Sequence, residues 1–113
     1  MRIFLTGGAG FIGFHAAQAL LARGHTVRAI DDLNPYYDPA LKRARLRELE
    51  DQKSFRFVQG DIAEPGALAQ AAGRERYDLI LHLAAQAGVR YALTDPAAYA
   101  RSNLVGHHNV LEF

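Results

Sequence analysis

The sequence predicts an α/β fold, a doubly wound parallel sheet of strand order 3-2-1-4 built from four β–α units. Three observations predict it. Short apolar runs alternate with helix-forming stretches along the whole chain. Those runs lack a polar–apolar alternation, as expected of parallel strands covered on both faces. The first of them passes into a glycine-rich turn that opens directly into a helix. Alternating strands and helices joined by right-handed crossovers leave few other arrangements.

The elements follow in order. Residues 2–5 form the first strand, and Thr6-Gly7-Gly8-Ala9-Gly10-Phe11-Ile12-Gly13 the turn and helix start. That helix runs over 11–23, with Gly24 as its C-terminal cap. Residues 26–30 make a second strand ending in Asp31, and a helix is expected over 39–50. A third strand at 55–58 precedes a helix at 65–72, and a fourth at 78–83 precedes one from 96 to the last residue. Three of these helices open on a proline (Pro39, Pro65, Pro96), whose missing N–H costs nothing in a first turn. Asp38 and Asp95 are natural N-caps for two of them, and Glu64 is a poorer one.

The turn carries the chemistry. A strand ending in glycines and then a helix brings bare N–H groups and the positive end of a helix dipole to one point, a place for a pyrophosphate. Two glycine registers fit, Gly8-x-Gly10-x-x-Gly13 and Gly7-x-x-Gly10-x-x-Gly13, with Gly13 expected to let the helix pack closely on the sheet. Asp31 lies eighteen residues past Gly13, near the roughly 20 expected for an acid that binds a ribose. Together these features predict a dinucleotide site in a Rossmann-type sheet. A ligand-free α/β turn is the alternative.

Bulk properties narrow the rest. The chain has 113 residues, 50% hydrophobic and 22% charged, with net charge +1 and no cysteine. That is one domain at most, with no electrostatic case for nucleic acid and no disulfide or thiolate chemistry. No apolar stretch approaches the roughly 18 residues that span a bilayer, so a cytoplasmic protein without a membrane partner is expected. A complete sheet of this type would continue with further strands, so residues 1–113 read as the N-terminal part of a longer enzyme. The fourth strand, Leu79-Ile80-Leu81-His82-Leu83, would then be an apolar edge open to pairing between copies, giving a homodimer or larger species.

The glycine turn, Asp31-Asp32-Leu33-Asn34, Gly60-Asp61-Ile62 and His82-Leu83-Ala84-Ala85 resemble the extended short-chain dehydrogenase/reductases, and among them the nucleotide-sugar epimerases and dehydratases. Asn34-Pro35-Tyr36-Tyr37-Asp38-Pro39-Ala40-Leu41-Lys42 and Gln86-Ala87-Gly88-Val89-Arg90-Tyr91 are similar to stretches of UDP-glucuronate 4-epimerases. The resemblance covers the whole chain but only the first third or so of such an enzyme. It implies NAD as cofactor, held by Gly7, Gly10, Phe11, Ile12 and Gly13 at the turn and by Asp31, Asp32 and Asn34 at the adenosine ribose. Asp61 and Ile62 would flank the adenine. Leu83, Ala84, Ala85 and Gln86 would line the nicotinamide ribose and pyrophosphate, with Asn103 facing the same cleft. Asn103 equally suits plain helix packing, because it shares a face with Tyr99, Gly106 and Val110. Arg90 is the candidate substrate residue, a guanidinium for a sugar carboxylate or phosphate, and a merely solvated arginine is the alternative.

The family's chemistry needs a tyrosine four residues before a lysine. The chain's two lysines, Lys42 and Lys53, follow Asp38 and Leu49 at that spacing, so it holds no catalytic residue of that kind. Three functions remain open: the NAD-binding portion of a nucleotide-sugar epimerase, that of a 4,6-dehydratase, or a binding module without turnover. The cluster Lys42, Arg43, Arg45 and Arg47 reads as the solvated side of the second helix. Adjacent His107 and His108 point about 100° apart and suit no shared metal, and His82 reads as a packed strand residue. Tyr36 and Tyr37 either pack a surface loop or stand beside the cofactor.

Overall fold

The computed structural model describes all residues, Met1 to Phe113. Four parallel strands lie in the order β3-β2-β1-β4: β1 Arg2–Thr6, β2 Thr26–Asp31, β3 Phe55–Gln59 and β4 Leu79–His82. Register pairs Ile3 with Val27 on one side and with Leu79 on the other. The expected order 3-2-1-4 is the one observed.

Two cores flank the sheet because successive strand residues point to opposite faces. Leu5, Val27 and Ala29 face α1 (Phe11–Ala22) and α2 (Pro39–Glu50), where Phe14, Ala17, Leu46 and Leu49 complete one core. Phe4 and Ile30 face the other way, onto Leu68, Ala71 and Ala72 of α3 (Ala67–Ala72) and Val110 of α6 (His107–Glu112). Helices on both faces make the sheet doubly wound.

Helix starts and stops follow their capping chemistry. Asp38 accepts a hydrogen bond from the Ala40 N–H (2.9 Å), and Asp95 one from the Ala98 N–H (3.2 Å). At the end of α1, Gly24 at φ +83° lets its own N–H reach the Leu21 carbonyl and that of His25 reach Leu20. The third helix departs from expectation. Gly66 adopts φ +78°, so α3 starts at Ala67 and Pro65 lies outside it. Glu64 is no cap there, because its carboxylate is taken by Arg101. The last helical stretch is also more broken than expected. A single turn, α4 (Tyr91–Thr94), precedes α5 (Pro96–Tyr99), which continues as a π-helical segment Ala100–Gly106 into α6.

Candidate dinucleotide-binding cleft

The carboxyl ends of the strands open onto a cleft of about 500 Å³. Its floor is the glycine turn, where Gly7, Gly10, Phe11, Ile12 and Gly13 all line the space. The N–H of Gly10 returns to the Gly7 carbonyl (3.1 Å), and that of Phe14 is the first of α1 to close on a carbonyl, Gly10 at 2.9 Å. The N–H groups of Phe11, Ile12 and Gly13 are therefore left for a ligand at the helix N-terminus.

The structure selects one glycine register. Gly7 holds φ +74°, and a Cβ on it would press on the Ala84 nitrogen at 2.8 Å. A Cβ on Gly13 would collide with the Gly7 carbonyl, so these two glycines touch each other. Gly13 thus packs on the loop rather than on the sheet. Gly8 lies against the Ala29 side chain, away from the cleft. The cleft is built on Gly7, Gly10 and Gly13.

One wall is the loop after β2. Asp31, Asp32 and Asn34 line it, and Asp31 is buried and heavily committed. Its carboxylate accepts from the N–H groups of Ala9 (3.0 Å) and Leu33 (2.9 Å), and from Lys42 Nζ at 3.4 Å. Leu33 reaches that position at φ +56°, a conformation that costs a bulky side chain about 1–3 kcal/mol and that clusters at functional loops. Asp32 accepts from the Asn34 N–H (2.9 Å). Desolvation in the cleft raises the Asp32 pKa above the ordinary carboxylate value; the Asn34 bond opposes this, and the neighbouring Asp31 charge adds to it.

Lys42 corrects the sequence reading. It is not on a solvated outer side but buried at 9% exposure, because it continues the inward stripe of Leu46 and Leu49 on α2 at spacings of four and three. Arg45 turns inward as well, donating to the Ala9 carbonyl (3.1 Å) with its guanidinium 5.9 Å from the Phe11 ring centre. Arg43 and Arg47 remain exposed.

Across the cleft, Asp61 and Ile62 line the end of β3. The Asp61 carboxylate takes the Ala63 N–H (2.8 Å) and Arg101 Nε (3.0 Å), which ties this loop to the π-helical segment. The Ile62 side chain packs onto Gly106, where a Cβ would approach it to 2.7 Å, and its carbonyl accepts from Asn109 Nδ2 (2.8 Å). Leu83, Ala84, Ala85 and Gln86 complete the far wall. Asn103 stands behind that wall. Its side chain brackets the Gln86 main chain, accepting from the N–H (2.8 Å) and donating to the carbonyl (3.3 Å). Ser102 lines the cleft in its place.

Tyr36 and Tyr37 stand at the rim, with Tyr36 4.7 Å from the Tyr91 ring and so bridging the two lips. Arg90 lies on the exposed turn before α4, outside the cleft.

Below the floor, Thr6 joins β1 to β4. Its Oγ1 accepts from the N–H groups of Leu83 (3.1 Å) and Ala84 (3.0 Å), which leaves its hydroxyl proton for His82 Nδ1 at 2.6 Å. This arrangement suits a neutral His82 that accepts at Nδ1 and carries its proton on Nε2. Burial lowers its pKa, and the stacked His107 ring 5.2 Å away lowers it further.

Residues 3–113 match the model of the NAD dependent epimerase/dehydratase family. The chain belongs to that family. It is 47% identical over 112 residues to a probable UDP-glucuronate 4-epimerase of Rhizobium meliloti (strain 1021), covering 99% of this chain and 33% of the relative. It is 46% identical over 112 residues to UDP-glucuronate 4-epimerase 6 of Arabidopsis thaliana, covering 99% and 24% respectively. Among solved structures, the UDP-glucuronic acid 4-epimerase of Bacillus cereus in complex with UDP-glucuronic acid and NAD superposes with a TM-score of 0.86 at 34% identity, covering 99% of this chain and 35% of that one. The chain thus spans about a quarter to a third of the length of these relatives. No helix is long and apolar enough to cross a membrane.

Proposed function

We propose that this chain is the NAD-binding portion of a nucleotide-sugar 4-epimerase acting on UDP-glucuronate. The observation that carries the reading is the cleft itself. Three free N–H groups at a helix start, a close glycine pair and an acid at the end of β2 surround one cleft of about 500 Å³ at the carboxyl ends of the strands. The curated relatives named above are 4-epimerases, which supports that chemistry over dehydration.

Reversible hydride transfer is the chemistry that bound NAD would supply. The residues of this chain bind and orient. The turn at Phe11, Ile12 and Gly13 donates to the pyrophosphate, and Asp31 accepts from ribose hydroxyls. The Asp61 loop borders the adenine. Leu83 to Gln86, fixed by Thr6 and Asn103, exclude water along the nicotinamide side. With no tyrosine four residues before a lysine, the chain by itself supplies no general base for the sugar hydroxyl.

Calorimetric titration of NAD into the chain, with a turnover assay on UDP-glucuronate, tests this. Saturable binding in the micromolar-to-millimolar range without turnover is expected, because only part of the cofactor is walled in. No saturation at several millimolar NAD would overturn the reading.

A further inference from the structure

Lys42 makes one hydrogen bond, to Asp31 Oδ1 at 3.4 Å, so two of its three N–H donors have no partner in the chain. Only 11% of its side chain is exposed, yet it lines the cleft. A buried ammonium with spare donors is costly unless something accepts from it. Arg45, three residues on and on the same helix face, also lines the cleft above the glycine turn. This corner therefore holds two cations, Lys42 and Arg45, against two carboxylates, Asp31 and Asp32.

We propose that Lys42 is a cofactor-selectivity residue: it donates to the adenosine ribose oxygens beside Asp31, and Asp31 masks it as a binding site for a 2′-phosphate. The proposal rests on the dinucleotide reading above. An acid and an ammonium side by side match a ribose diol, one accepting from a hydroxyl and the other donating to an oxygen. With Asp31 in place, a 2′-phosphate meets a carboxylate whose charge Lys42 already balances, and NAD is preferred. With Asp31 removed, the ammonium loses its ion-pair partner, and it and the Arg45 guanidinium face the phosphate with Asp32 as the one remaining carboxylate, forming charge-assisted hydrogen bonds with it. Selectivity is then a balance of two residues rather than the property of one acid.

The test is calorimetry of NAD and NADP with the parent chain, Lys42→Met, Asp31→Ser and the double variant, each checked for fold by circular dichroism. Lys42→Met is expected to weaken NAD about tenfold and NADP more, widening the preference for NAD. Asp31→Ser is expected to shift the NADP-to-NAD affinity ratio toward NADP by about tenfold or more, and adding Lys42→Met should reverse most of that shift. Equal ratios for Asp31→Ser and the double variant would overturn the proposal. Should Asp31→Ser not fold, Lys42→Met decides alone, and an NADP-to-NAD ratio equal to the parent's overturns it. A parent chain that binds neither nucleotide rejects the dinucleotide reading itself, so the two failures are distinct.

Discussion

The two sides of this sheet differ in how completely the chain closes them. Around β1 and β2, Ile3, Phe4, Leu5, Thr6, Val27, Ala29 and Ile30 are fully buried, and the Asp31 carboxylate has three partners. On the β4 side, Leu79 and Ile80 remain 45% and 37% exposed, and between Tyr91 and Glu112 only Gly106 and Val110 are buried. The Asp31 end of the cleft is thus preorganised. The other end is held by a few side chains: Thr6 on the Leu83 and Ala84 N–H groups, Asn103 on the Gln86 main chain, and Arg101 on Asp61 and Glu64 beside β3. The cleft thus separates into a buried, densely bonded half and a more exposed half.

Matched glycine substitutions should give the largest contrast between the halves. At Gly13 a new Cβ meets backbone, with the Gly7 carbonyl carbon at 2.9 Å, and neither the loop nor α1 can move without breaking the turn. Gly13→Ala should cost more than about 3 kcal/mol, in the range reserved for strain in packed backbone, and should abolish NAD binding. At Gly106 the new methyl crowds a side chain rather than backbone, with Ile62 Cγ1 and Cδ1 both at 2.7 Å and the Arg101 carbonyl at an ordinary 3.5 Å. Overpacking of about 1–3 kcal/mol is offset there by the gain of about 1 kcal/mol from alanine in a helix. Gly106→Ala should therefore stay within about 1–2 kcal/mol of the parent. Urea melts of both variants measure this, and equal costs would erase the distinction.

The same contrast explains what the sequence disclosed. Strand order, both aspartate caps and the position of Asp31 were legible because each is a local rule: apolar runs, a capping oxygen before proline, and a fixed distance from the glycines. The choice between glycine registers was not, because it depends on which glycine meets Ala84 across the sheet. Lys42 was misread for a physical reason. Counted as one of four basic residues it looks solvated, but its spacing to Leu46 and Leu49 places it on the buried stripe. The signal was present in the helix period and was outweighed by residue type. Pro65 misled in the opposite way, since a good first-turn residue cannot start a helix across a left-handed Gly66. Asn103 was expected to face the cleft, but the π-helical segment puts Ser102 there and turns Asn103 onto the Gln86 main chain.

A smaller effect is expected at the open edge. Leu79 and Ile80 present apolar surface and an unpaired strand side, the combination that promotes pairing between copies. Ile80→Lys should lower stability by about 1 kcal/mol or less, as for other partly exposed positions, while shifting sedimentation toward monomer. An unchanged distribution of species would mean that the edge does not drive association.

The smallest effect belongs to the His82 tether, and it is a matter of pH. Thr6 can donate to His82 Nδ1 only while that nitrogen is unprotonated, and burial with the His107 charge holds the folded-state pKa below the ordinary value of 6.5. The unfolded chain therefore binds a proton more readily than the folded one across this interval. Stability is unaffected by His82 well above 6.5, falls as pH drops below it, and levels off once pH is under the folded pKa. The loss should concentrate at the β4 side, because protonation withdraws the acceptor for the Thr6 hydroxyl that organises the Leu83 and Ala84 N–H groups. His82→Phe should flatten this part of the stability–pH curve. Hydrogen exchange at Leu83 and Ala84 should accelerate between pH 7 and 5.5 in the parent more than at Ala9 or Leu33, whose N–H groups are held by Asp31. Equal acceleration at all four amides, after correction for intrinsic exchange, would show that His82 titration loosens the whole sheet rather than its less finished half.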